Sequence, residues 1–259
     1  MKTVHYVLAD PTGNHTVLVR TPVPPSQRRA VADALMAMEP TAEQVGFVQA
    51  TTLTMTGGEF CGNASLAAAA LHCREQGLPA GQTAAVTLTV SGAPHPVAVT
   101  VTAAADGRYT GRVAMPKPVA MACRTLPFFP EATALPVIAF PGITHVIVES
   151  PLEQTQAETI IRPLCRHMGA DALGLLLFDR AAGRLTPLVY VPAADTLYWE
   201  NSCASGTAAV GAWLFQEQGH PRHLALTQPG GTLTADADQQ GLWLSGTVTF
   251  IRDGVCTLK

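Results

Sequence analysis

Two stretches of the chain carry one pattern. Cys61-Gly62-Asn63-Ala64-Ser65-Leu66 and Cys203-Ala204-Ser205-Gly206-Thr207-Ala208 each place a cysteine before small residues that open a helix. Further on, each stretch reaches a Glu-Gln-Gly-x-Pro segment: Glu75-Gln76-Gly77-Leu78-Pro79 and Glu217-Gln218-Gly219-His220-Pro221. Glycine after the last periodic residue, with proline just beyond, stops a helix. One helix is therefore written twice, with a cysteine at each N-terminus. A duplicated central helix needs duplicated cover, so the expectation is two similar halves.

The order of the remaining segments agrees with that expectation. Residues 4–20 read as two short strands around Asp10-Pro11-Thr12-Gly13-Asn14, and their counterpart is Pro141-Gly142-Ile143-Thr144 with 145–149. Helical segments follow at 26–38, with Ser26 as N-cap, and at 152–168. Apolar runs of strand length come next at 44–48 and 172–178. Residues 51–55 and 186–191 read as the strands that feed the two cysteine turns. Hairpins at 85–115 and 224–251, punctuated by Asp106-Gly107 and Gly230-Gly231, close each half. The expected class is α+β: two pseudo-symmetric domains, each a β-sheet around a central helix, with the active site in the interdomain cleft. Domain one is 1–118 and domain two 119–259, linked at Pro116-Lys117-Pro118, and the last strand can return to the N-terminal domain.

Composition excludes several classes. A chain of 259 residues, 47% apolar and 14% charged, buries a sizeable core. A net charge of −3 leaves no basic footprint for nucleic acid. The start alternates like a strand and is not a signal peptide, and no apolar run is long enough to span a bilayer, so no membrane partner and a cytoplasmic location are expected. The six cysteines include no Cys-x-x-Cys pair, so no metal site is expected and the cysteines stay thiols in a reducing compartment. Cys73, Cys123, Cys165 and Cys256 read as buried small hydrophobes.

Cys61 and Cys203 read differently. A thiol at a helix N-terminus has its thiolate favoured by the dipole and the first-turn amides, which predicts a lowered pKa. The amides of Gly62, Asn63 and Ala64, with those of Ala204, Ser205 and Gly206, make two anion sites suited to an α-carboxylate. Flanked by one cysteine on each side, an α-carbon loses its proton to a thiolate and regains one from a thiol on the opposite face. Two reachable, low-pKa thiols this close would also oxidise to a disulfide. Glu59 and Glu200, with Asp195 nearby, supply carboxylates for an α-ammonium or a basic or imidazole side chain; solvated loop acids are the plain alternative. A pyridoxal-phosphate enzyme needs a Schiff-base lysine, and Lys2, Lys117 and Lys259 are poorly placed for one.

On these residues the chain resembles the diaminopimelate epimerase family of cofactor-independent amino acid racemases and epimerases. Cys61-Gly62-Asn63 matches its first cysteine motif. Ser202-Cys203-Ala204-Ser205-Gly206-Thr207 matches the second, with Ala204 where glycine is usual. The resemblance covers essentially the whole chain. It implies two similar domains, Cys61 and Cys203 as acid and base, Asn14 and Gln44 as substrate contacts, no cofactor, and a small amino acid as partner. Monomer or homodimer is left open. The family's Glu-Arg pair before the second cysteine is replaced by Ala194-Asp195, and Ile143 replaces an asparagine in Gly142-Ile143-Thr144-His145. A second amino-acid head group would be poorly held, so the pattern is more similar to the histidine racemases of metallophore pathways within the family. The alternatives are diaminopimelate epimerase itself, a proline-racemase-like isomerase, a phenazine-type isomerase with Glu59 as base, and a binding protein that performs no turnover.

Overall fold

The computed structural model describes residues 2–129 and 134–258, and the chain divides into two compact units, Met1–Ala114 with Leu244–Lys259 and Met115–Trp243. The first unit runs β1 (Lys2–Pro11), β2 (Thr16–Val19), α1 (Pro25–Met38), β3 (Gln44–Gln49), β4 (Thr52–Met55), α2 (Gly62–Glu75), β5 (Thr83–Val90), β6 (Val97–Ala103) and β7 (Tyr109–Ala114). The second runs β8 (Ala120–Thr125), β9 (Ala134–Phe140), β10 (Ile143–Val148), α3 (Gln154–Met168), β11 (Leu173–Asp179), β12 (Arg184–Val191), β13 (Thr196–Trp199), α4 (Ala204–Gln218), β14 (Arg222–Gln228) and β15 (Gly231–Ala237). β16 (Leu242–Leu258) ends the described chain and pairs antiparallel with β1 from Val248 onward.

The pairing order is the same in both units. β1 and β2 are antiparallel, β2 and β3 parallel, β3 and β4 antiparallel, β4 and β5 parallel, β5 and β6 antiparallel. β9 and β10, β10 and β11, β11 and β12, β12 and β14, and β14 and β15 repeat that series. Both are mixed α+β arrangements with few helices.

Each unit is built from a small amphipathic helix and an all-round buried one. α1 turns Val31, Ala32 and Leu35 onto Val4, Tyr6, Leu8, Val17, Val45 and Phe47. α3 does the same with Ala157, Ile161, Leu164 and Cys165, at the spacing that lines one helix face. α2 is buried along almost its whole length, and α4 along most of it. Their alanines and glycines let strands approach closely: Gly111 of β7 leaves room for Leu66, and Gly211 of α4 leaves room for Ala235 of β15. Facing strands alternate cleanly, as in β6, where Val97, Val99, Val101 and Ala103 are buried.

Several details differ from the sequence expectation. Ser26 does not cap α1; Pro25 takes the first helical position, where its missing N–H costs nothing, and Pro24 precedes it. The strand at 184–191 does not feed the second cysteine directly, because β13 folds back on β12 first. Cys73, Cys165 and Cys256 are buried, but Cys123 is exposed on β8. Among the described residues no helix is long and apolar enough to cross a membrane, and no group of three or more His, Cys, Asp or Glu side chains has metal-binding proximity.

Candidate active site

Both cysteines are helix N-caps with extended backbone. Cys61 has φ −129° and ψ 117°, and its Sγ accepts a hydrogen bond from the Ala64 amide at 3.4 Å. Cys203 has φ −117° and ψ 108°, and its Sγ accepts from the Gly206 amide at 3.3 Å. A hydroxyl four residues on ties each cap down: Ser65 donates to the Cys61 carbonyl at 2.7 Å and Thr207 to the Cys203 carbonyl at 2.8 Å. The third amide of each helix is thus directed at its own thiol. The expectation that Ala64 and Gly206 would offer their amides to a ligand is corrected accordingly, and what remains of each first turn is Gly62 and Asn63, or Ala204 and Ser205.

The surroundings of the two caps differ. The loop before Cys61 is held by the turn after β5, where the Ser91 hydroxyl accepts from the Met55 amide and donates to the Glu59 carbonyl, both at 2.9 Å. Gly92, at φ +72°, lies so close to Glu59 and Phe60 that any side chain there would overlap their backbone. Glu59 itself is exposed, and its carboxylate folds back toward Gly57.

Cys203 lies in a dense polar nest and is only 4% exposed. Its amide donates to Gln228 Oε1 at 2.8 Å. Ser205 Oγ lies 3.6 Å from its Sγ, and His145 Nε2 lies 2.9 Å from that hydroxyl. His145 is fully buried on β10 against Gly174 of β11, where a side chain would collide with the imidazole. Burial pushes the His145 pKa down to about 3, so the ring is neutral at neutral pH.

The pKa expectation is corrected at Cys203. Burial pushes this thiol well above its ordinary value, and the Glu200 carboxylate, which hydrogen-bonds the thiol, pushes it further. The opposing pulls of Ser205 and the Gly206 amide are smaller. A desolvated anion next to a carboxylate costs more than two donors return. Cys203 is therefore neither acidified nor readily reached by solvent, and both conditions set above for easy oxidation fail at this residue. It rests as a thiol. Cys61 is partly exposed.

The other expected residues fall into two groups. Asn14, two residues before β2, and Gln44, at the start of β3, meet where those strands pair: Gln44 Nε2 donates to Asn14 Oδ1 at 2.5 Å and to Thr16 Oγ1 at 2.9 Å. Asn14 Nδ2 donates in turn to Glu43 at 2.6 Å, so this asparagine is held at both ends of its amide. Glu200 follows β13 and is fixed through its amide to the Pro187 carbonyl at 3.0 Å. Asp195 is committed elsewhere: the Arg162 guanidinium bonds to its carboxylate, stacks on the Tyr190 ring and holds the Asp195 pKa below the usual range.

Sequence reasoning missed Glu43, Ser91, Thr207, Gln228 and the part of His145. The hydroxyls at 65 and 207 were visible as equivalent positions four residues after each cysteine. Gln228 and Ser91 carry no motif; each sits where a hairpin returns to a cysteine turn, which only the folded chain discloses.

Known proteins share this architecture. A solved structure of a predicted epimerase from Pseudomonas aeruginosa superposes with a TM-score of 0.71 at 14% identity, over 99% of this chain and 100% of that one. A histidine racemase of Fusobacterium nucleatum subsp. nucleatum (strain ATCC 23726 / VPI 4351) is 27% identical over 98% of this chain and 97% of its own length. One of Staphylococcus aureus (strain Mu50 / ATCC 700699) is 29% identical over 86% of this chain and 85% of its own length. The protein is an isomerase of the amino acid racemase class. The family model described as the histidine racemase CntK N-terminal domain matches residues 3–254, and the chain belongs to that family.

Proposed function

We propose that this chain is a cofactor-independent histidine racemase in which Cys61 and Cys203 exchange protons with the α-carbon from opposite faces. The observation that carries the proposal is the repeated cap: in a member of the histidine racemase family, each of two like-ordered units ends its central turn in a cysteine with a helix amide on its sulfur. The proposal includes the two-domain arrangement of the diaminopimelate epimerase type, with both caps facing one interdomain cleft, and a cytoplasmic setting that keeps both thiols reduced.

The chemistry balances with two thiols. A Cys61 thiolate takes the α-proton, and the electron pair passes into the α-carboxylate. The first-turn amides at 62, 63, 204 and 205 stabilise the added charge. Cys203, already a thiol, gives its proton to the other face, which inverts the centre and leaves the thiolate on Cys203 and the thiol on Cys61. The reverse direction uses the same two groups with roles exchanged. Glu200 is assigned to the α-ammonium of the substrate, and Glu59, Asn14 and Gln44 to its remaining polar groups.

The test is incubation with each L-amino acid in deuterated buffer, without added cofactor and with a chelator present. D-Histidine carrying deuterium at Cα is the expected product. Exchange with a different amino acid and none with histidine would reassign the substrate. Binding of histidine with no exchange would make the protein a binder and end the proposal.

A further inference from the structure

Gln228 is 4% exposed, and both ends of its amide are used on one target. Its Oε1 accepts from the Cys203 amide at 2.8 Å, and its Nε2 donates to Thr207 Oγ1 at 2.8 Å. The Thr207 hydroxyl proton goes to the Cys203 carbonyl at 2.8 Å. The three bonds close a ring around one residue: amide to glutamine, glutamine to threonine, threonine to carbonyl. The peptide groups on both sides of the Cys203 Cα are thereby held. Fixing the N–H and the C=O fixes φ and ψ, and with them the direction of the Cα–Cβ bond that carries the sulfur.

The hairpin that supplies Gln228 adds a further hold. Gln228 pairs with Gly231 at the β14–β15 turn, and the Gly230 amide donates to the Asn201 carbonyl at 2.8 Å, two residues before the cysteine. A buried primary amide left without partners is strongly penalised, so a glutamine at such a place persists only with its bonds made. Leucine or methionine would fill the same space without needing partners. The amide chemistry serves the cysteine turn, not the packing.

We propose that Gln228, acting through Thr207, is a positioning residue that aims the Cys203 thiol for proton transfer. The proposal rests on Cys203 being one of the two acid/base groups. Misplacing a reacting group by about 1 Å can cost on the order of a hundredfold in rate. Loosening the ring also admits water to a thiol that is otherwise desolvated, which moves its titration back toward an ordinary thiol.

The experiment compares Gln228→Met, Thr207→Val, Thr207→Ser and the Gln228→Met/Thr207→Val double variant. Three readouts are taken: kcat and KM for L-histidine, the thermal midpoint, and the pH profile of iodoacetamide alkylation at Cys203 and Cys61, resolved by peptide mapping. Gln228→Met and Thr207→Val are expected to lower kcat about ten- to a hundredfold with KM within about twofold. Thr207→Ser, which keeps the hydroxyl, should retain near wild-type kcat. The double variant should lose less than the product of the single losses, because one ring is broken in each case. The alkylation profile of Cys203 should shift to lower pH while that of Cys61 stays in place. A folded Gln228→Met enzyme with wild-type kcat and an unchanged Cys203 profile overturns the proposal, as does an equal shift at both cysteines, which would signal general loosening. If Gln228→Met fails to fold, the contrast between Thr207→Val and Thr207→Ser decides. If the wild-type protein does not racemise histidine, the function fails, and the two alkylation profiles still decide whether the ring holds Cys203.

Discussion

Around Cys61 the groups that arrive from the neighbouring hairpin hold the chain before the cysteine: Ser91 grips the Met55 amide and the Glu59 carbonyl, and Gly92 packs on the backbone of Glu59 and Phe60. Around Cys203 the equivalent hairpin holds the cysteine itself through Gln228, and β10 adds His145, which bonds the Ser205 hydroxyl that the first turn of α4 places beside the sulfur. The helix caps and the hydroxyls at 65 and 207 are alike, so the difference lies in what surrounds them. One thiol sits partly exposed at the end of a pinned loop. The other is buried among polar groups and kept protonated by desolvation and by Glu200. The same cap thus serves two surroundings, a partly open one and a desolvated one.

The largest effect tests whether the likeness is the catalytic part. Cys61→Ser and Cys203→Ser should each lower D-histidine formation by about a hundred- to ten-thousandfold, the range a positioned acid or base contributes. A serine hydroxyl is too weak an acid to replace either thiol at neutral pH. Comparable losses in the two variants support one device used twice. A correctly folded variant that keeps more than about a tenth of wild-type turnover would mean that the two caps are not partners in the chemistry.

A second test sharpens the difference. His145 is neutral in the folded protein down to about pH 3, whereas an unfolded histidine protonates near pH 6.5. The unfolded state therefore binds the extra proton throughout that window. The associated stability is fully present above pH 6.5 and is lost as pH falls, at up to about 1.4 kcal/mol per pH unit. His145→Asn should flatten the acid limb of a urea-unfolding series relative to wild type. Hydrogen exchange at pH 4 should open the Met115–Trp243 unit first. Equal slopes in wild type and variant would show that the imidazole is not the acid-sensitive group.

The shared part of the comparison was legible in the sequence and the differing part was not. The cysteine before small residues, the glycine stops at Gly77 and Gly219, and the order of strands and helices are local signals, set by propensity and period. Gly219 is left-handed at φ 71°, as a helix stop requires. The environment of Cys203 depends on His145 of β10 and Gln228 of β14, elements far apart in the chain, and on how the turn after β13 aims Glu200. No local pattern says that His145 will meet Ser205, or that Glu200 will face the thiol. The dipole argument predicted a lowered pKa because the sequence reveals the helix and not the burial. β13 was missed for a similar reason: it is four residues long and exists by pairing with β12. Asp195 looked available because its partner Arg162 lies on α3, a different element.

The smallest expected effect lies on the Cys61 side and follows from where Ser91 acts. Ser91→Ala removes two part-exposed hydrogen bonds, for a stability loss of about 1–2 kcal/mol. Because those bonds end at Met55 and Glu59, and not at the cysteine, the helix cap and the Ser65 bond to the Cys61 carbonyl remain to orient the thiol. Turnover should fall by less than about tenfold, well short of the loss expected for Gln228→Met. Ser91→Thr, which keeps the hydroxyl, should restore stability. Gly92→Ala is the harsher companion, since a methyl group at φ +72° is strained and meets the Phe60 amide. It should displace the whole loop and lower turnover more than Ser91→Ala does. Measuring kcat for the three variants beside Gln228→Met ranks the two hairpins directly. A Ser91→Ala loss equal to that of Gln228→Met would mean that both cysteines are aimed through their hairpins alike, and the contrast between the two turns would then reduce to burial alone.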